Sequence, residues 1–133
     1  MTQFKFEFAK TYKEVEVAGK VYKVEFNDKA QTNYQKAFTK FGKEIKSITG
    51  SITDYESATD AEIEASSQKQ KEAIKEFVET FLGEGTFDSL YEKAGKSSEN
   101  LMDLVHYLNE IHITESQKKV NEKRNKYLSN VKK

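Results

Sequence analysis

Phe4, Phe6 and Phe8 alternate with polar residues at the head of the chain, Val15 and Val17 do so again, and Tyr22, Val24 and Phe26 a third time. A period of two is the mark of a half-buried strand, because successive side chains of extended backbone point to opposite faces. The spacing predicts two or three antiparallel strands in the first 26 residues. Gly19-Lys20 fits a two-residue loop of type II′ with Gly first, which would set Val17 against Tyr22 and Val15 against Val24.

The period then changes. Asn27 or Asp28 can accept a bond from an unpaired backbone N–H at a helix start, and Ala30, Tyr34, Ala37, Phe38, Phe41, Ile45 and Ile48 follow in steps of three and four, one stripe of a helix. Gly42 inside that stripe weakens the helix by about 1 kcal/mol relative to Ala and suggests a bend or a close packing contact. From Thr49 to Thr59, Ser, Thr and Asp gather around a Gly, which reads as a mobile connection. Thr59-Asp60-Ala61-Glu62 reads as a capping box. The helix it opens is polar at first and apolar later, at Ala73, Ile74, Phe77, Val78, Phe81 and Leu82, and stops at Gly83 and Gly85.

Thr86 is placed to cap a short helix bearing Phe87, Leu90 and Tyr91, which ends at Gly95. Ser97 or Ser98 starts a last helix with Leu101, Leu104, Val105, Leu108 and Ile111 on its apolar side. Beyond Thr114 that side thins, so residues 115–133 are expected to form a basic helical tail that frays alone or packs on a partner. The expected fold class is α+β, mostly α: an N-terminal β-hairpin followed by about four amphipathic helices in a single domain, 1–133.

Composition narrows the function classes. The absence of Cys excludes disulfides, thiolate metal sites and a Cys nucleophile, and it suits the cytoplasm, the expected location. No apolar stretch approaches the length needed to span a bilayer, so no membrane role is expected. Lys plus Arg and Asp plus Glu balance at 22 each, leaving no global field to attract nucleic acid. Local asymmetry remains: five acids lie between Ser51 and Gln68 with no base, and seven bases lie from Gln117 to Lys133 with only Glu122 against them, so the two regions could attract each other.

Catalytic and cofactor chemistry find little foothold. His106 and His112 are six residues apart, about 240° around a helix, and do not share a face from which to bind one metal; both read as ordinary helix residues near an interface or the surface. Phosphate-cradling and nucleophile-elbow motifs are absent, and the acids from Glu56 to Glu64 sit in a polar stretch that reads as a solvated face. No enzyme activity, catalytic residue, cofactor or metal is expected. The apolar stripes read first as core, yet four helices and a hairpin each present one, and a thin domain has difficulty burying them all.

Gly19-Lys20-Val21-Tyr22-Lys23-Val24-Glu25-Phe26, an amphipathic helix, Phe77-Val78, then Phe81-Leu82-Gly83-Glu84-Gly85-Thr86-Phe87 and Leu90-Tyr91-Glu92-Lys93-Ala94-Gly95 together resemble the tail assembly chaperones of long-tailed phages and prophages of Gram-positive bacteria. The likeness extends from about Lys20 to Ile111. It implies a mostly helical, self-associating homo-oligomer that works in the host cytoplasm and is absent from the mature virion. Such a protein binds the helical tape measure protein and keeps it soluble while tail tube protein assembles around it. It also implies that a longer form can arise by frameshifting near the end of the reading frame, with which Lys132-Lys133 is compatible. The stripes themselves nominate Phe87, Leu90, Tyr91, Leu104 and Leu108 as protein-binding residues. The alternative is a small nucleic-acid-binding or regulatory protein that uses Lys118, Lys119, Lys123, Arg124 and Lys126, with Tyr127 available to stack on a base.

Overall fold

The computed structural model describes residues 3–51, 54 and 56–131, with side chains described through 50, at 54 and over 56–117. The order is β1 (Tyr12–Val17), β2 (Lys20–Glu25), α1 (Asp28–Ser51), α2 (Asp60–Leu82), α3 (Phe87–Lys93) and α4 (Ser98–Val131). The expected α+β, mostly helical architecture is the one adopted, an antiparallel hairpin followed by four helices. The mobile connection expected from Thr49 begins later, because α1 runs on to Ser51; its residues 52, 53 and 55 lie outside those described.

The hairpin forms with a different register from the one expected. Ala18 and Gly19 are the loop residues, with φ of 51° and 84°, so the turn resembles type I′ and pairs Val17 with Lys20 and Val15 with Tyr22. This lies two residues from the expected pairing. A slip of two keeps every side chain on its face, so the apolar alternation that identified the hairpin could not choose between the two registers. Val15, Tyr22 and Val24 share the inner face, as expected.

The third strand is not made. The sheet has two strands, and residues 3–10 carry no strand pairing although their pattern alternates. Phe4, Phe6 and Phe8 are 93%, 74% and 88% exposed. Alternation shows that a segment can be a strand; pairing requires a neighbouring edge within reach. Between Phe8 and Tyr12 the chain has Ala9-Lys10-Thr11, with no Gly, Pro, Asn or Asp to reverse it. Thr11 is also held in line with the hairpin, its carbonyl accepting from the Phe26 amide at 2.6 Å.

Each helix start has its own cap. Asn27 Oδ1 accepts from Ala30 N at 2.8 Å, Thr59 Oγ1 from Glu62 N at 3.2 Å, and Ser97 Oγ from Asn100 N at 3.2 Å. Only the Thr59 half of the expected capping box is formed. Thr86 does not cap α3 with its side chain; its hydroxyl donates to Gly83 O at 2.7 Å. The Glu79 carboxylate in α2 takes that role, accepting from Gly85 N at 3.0 Å and Phe87 N at 3.2 Å, and so fixes α3 to the helix before it. The turn after α3 closes with Lys96 N bonded to Tyr91 O at 2.8 Å and Gly95 N to Glu92 O at 3.0 Å, the paired bonds of a Schellman motif, with Gly95 at φ 71°.

One core joins all elements. The C-terminal half of α2 supplies Ala73, Ile74, Phe77, Val78, Phe81 and Leu82, and meets Tyr34 and Phe41 from α1, Leu101, Val105 and Leu108 from α4, and Tyr22, Val24 and Phe26 from the hairpin end. Tyr34 is the junction. Its ring stacks on Phe81 with centroids 4.0 Å apart, meets Phe26 edge-on at 6.1 Å, and its hydroxyl donates to Glu25 O at 2.6 Å. Burial and the nearby Glu25 carboxylate push the Tyr34 hydroxyl pKa up to about 12. Gly42 touches nothing a Cβ would meet, so neither a close contact nor crowding explains it.

Candidate functional site

Among the described residues large apolar side chains are exposed at Val21, Phe38, Ile63 and Ile113, and two further surfaces carry uncovered apolar groups. The first is the N-terminal arm with Phe4, Phe6 and Phe8. The second lies on α4. Leu101, Val105, Leu108 and His112 recur at helical spacing and form its buried face. Leu104, Tyr107 and Ile111 follow the same spacing on the adjoining flank, where Leu104 and Ile111 are half-buried and Tyr107 is 49% exposed. A shallow groove there is lined by Tyr107, Glu110, Ile111, Thr114 and Glu115.

The residues nominated for protein binding separate into two groups. Phe87, Leu90 and Leu108 are buried within the core, where no partner can reach them while the fold is closed. The periodicity that nominated them is the periodicity of core packing, and here the core claimed it. Tyr91 is half-buried, stacked on Phe87 at 5.6 Å and covered by the Lys71 ammonium 4.3 Å from its ring centre. Leu104 is likewise half-buried, packed against the core on the flank that also carries the exposed Tyr107. Sequence reasoning passed over Tyr107, although its step of three from Leu104 and four to Ile111 was a usable signal.

The two histidines differ. His106 is exposed, whereas His112 is only 7% exposed and lies edge-on to Tyr34 at 5.7 Å and Phe81 at 6.5 Å. Its Nδ1 has no hydrogen-bond partner, and burial lowers its pKa. The neutral imidazole therefore serves as an aromatic packing group where α4 meets α1 and α2; of the two expected settings, an interface or the surface, the surface is excluded for it. Among the described residues no cluster of His, Asp and Glu is arranged to hold a metal ion, and no helix is long and apolar enough to cross a membrane.

Other charged groups make surface contacts. Lys40 bridges α1 to α2 through Glu76 at 2.5 Å and stays within reach of Glu44 at 3.7 Å; the Glu76 hydrogen bond raises its pKa. The acids Asp60, Glu62 and Glu64 are exposed in the first turns of α2. The basic residues from Lys118 onward belong to the backbone course of α4, and their expected attraction to the acidic stretch lies outside the described side chains.

Comparison with protein-family models, curated proteins and solved structures returned no match.

Proposed function

We propose that the chain is an assembly chaperone of long-tailed phages or prophages, which binds the helical tape measure protein through the flank of α4 and keeps it soluble in the host cytoplasm until tail tube protein encloses it. The observation that supports this reading is the flank of Leu104, Tyr107 and Ile111 beside the core face of α4, where Tyr107 and Ile111 line a shallow groove together with Glu110, Thr114 and Glu115. An amphipathic client helix presents an apolar stripe of its own, and such a stripe can lie against a shallow, partly apolar groove. A single contact of this size is weak. Repetition along an extended client compensates, because many copies bound to one long chain act at high effective concentration.

Co-expression with the tape measure protein tests the reading. The soluble fraction of tape measure protein should rise with the wild-type chain and fall back with Tyr107→Glu, whose side chain is half exposed and whose replacement leaves the core intact. An unchanged soluble fraction with the wild-type chain contradicts the proposal.

A further inference from the structure

The arm and the hairpin edge beside it have matching needs. In the observed register, Thr11 and Phe26 form a bonded pair, so alternation along the ladder turns the amides and carbonyls of Tyr12, Glu14 and Glu16 to the outer side of β1. The corresponding edge of β2 is partly covered, because Tyr34 takes the Glu25 carbonyl. Among the described residues nothing pairs with the outer edge of β1, and β2 rather than β1 is the strand that packs on α2. An open edge next to an alternating Phe arm is a template for strand addition.

The arm cannot satisfy its own edge. Reversal between Phe8 and Tyr12 would need a turn that Ala9-Lys10-Thr11 does not supply, and the Thr11 carbonyl is already committed to Phe26. A second copy carries both the same arm and the same edge. We propose that residues 4–8 of each copy add as a third strand to the outer edge of β1 in the other, giving a two-fold dimer by reciprocal exchange.

Side-chain chemistry agrees with this pairing. Once added, the Phe face of the arm continues the inner face of Val15 and Val17, while Lys5 and Glu7 fall on the outer face with Glu14 and Glu16. Both Glu14 and Glu16 are exposed without an ion-pair partner among the described residues; Lys23, opposite Glu14, instead lies over the Tyr12 ring at 4.3 Å and 3.5 Å from Glu25. Lys5 presently pairs with Glu7 at 2.8 Å in an exposed contact that is easily exchanged. The arm's outer face carries both Lys5 and Glu7, and the antiparallel register that sets Lys5 opposite Glu14 places Phe4 opposite Val15 and Glu7 opposite Tyr12 rather than opposite a second carboxylate. The face used is separate from the α4 flank, so the dimer stands whether or not the client reading does.

The test combines mass and cross-linking on the full chain. Wild-type protein should sediment at twice 15.3 kDa, and the triple variant Phe4→Ser, Phe6→Ser, Phe8→Ser at 15.3 kDa with an unchanged circular dichroism melt at dilution. Because the chain has no Cys, single thiols report contacts without background. Lys5→Cys chains mixed with Glu14→Cys or Glu16→Cys chains should form mixed disulfides under mild oxidation, and mixing with Val21→Cys, on the opposite edge, should not. A wild-type chain of single mass overturns the proposal, including one whose arm becomes protected only when a client is added. So does a dimer that survives the triple substitution, or cross-linking to Val21→Cys equal to that with Glu14→Cys.

Discussion

Phe77 and Phe81 in α2 and Phe4, Phe6 and Phe8 in the arm are one side chain in two opposite settings, with the first pair 1% and 3% exposed and the arm residues 74% to 93%. The α2 pair sits on a helix that closes its own backbone hydrogen bonds, so its stripe needs only apolar neighbours, and α1 and α4 supply them. The arm residues sit on a segment whose backbone must borrow a partner strand before any side chain can be buried. Apolar pattern therefore gives burial within one chain where the element is self-sufficient. Where it is not, the same pattern marks a demand that the chain alone does not meet.

The widest separation should come from truncating one ring on each side. Phe81→Ala removes a ring that stacks on Tyr34 and meets Phe77 at a tilt, and it should cost about 3–5 kcal/mol in denaturant unfolding. Phe6→Ser, measured at dilution, should fall within about 0.5 kcal/mol of wild type. Comparable losses at the two positions would mean that the arm packs within its own chain.

Protonation provides a second separation, because His112 lies against Phe81 on the buried side and no imidazole lies in the arm. Burial holds the folded-state pKa of His112 below its ordinary 6.5. The unfolded chain then takes up the proton at higher pH than the folded chain, so this contribution to stability is complete above about pH 6.5 and declines as pH falls below it. The Tyr34 ring meets the imidazole edge-on, and its hydroxyl, with a pKa pushed up to about 12, stays neutral throughout that range. Melting temperature should drop between pH 7 and pH 5, and His112→Phe should flatten that part of the profile; an equal slope in the variant would assign the effect elsewhere.

The smallest expected effect concerns the hairpin from which the arm extends. Ala18 adopts φ 51°, a left-handed conformation that costs an L residue with a Cβ roughly 1 kcal/mol. Ala18→Asn places an Asn-Gly pair in the loop and should raise stability by about 0.5–1 kcal/mol in thermal unfolding. A loss of stability would contradict the turn geometry and the register built on it.

How legible the molecule was from its sequence follows the same division. Tyr34, Phe41 and the run from Ala73 to Leu82 were readable because helical periodicity and burial coincide in them. The hairpin was readable in its faces but not in its register, since Val15 and Tyr22 point inward under either pairing. The α3 cap was missed because its acceptor, Glu79, lies eight residues before Phe87 and reaches it only after the chain has turned. Exposure was the least legible: Phe87, Leu90 and Leu108, nominated for protein binding, carry a strong apolar signal and are core, whereas Tyr107, which was not nominated, is 49% exposed.

Hydrogen–deuterium exchange at two protein concentrations tests the contrast between arm and core most directly. Amides of Phe77 to Leu82 should be strongly protected at both concentrations. Those of Phe4 to Phe8, together with Tyr12, Glu14 and Glu16, should exchange freely in dilute protein and become protected as concentration rises. Protection of the arm that is already complete in dilute, single chains would contradict the account, because it would mean that the chain covers Phe4, Phe6 and Phe8 by itself.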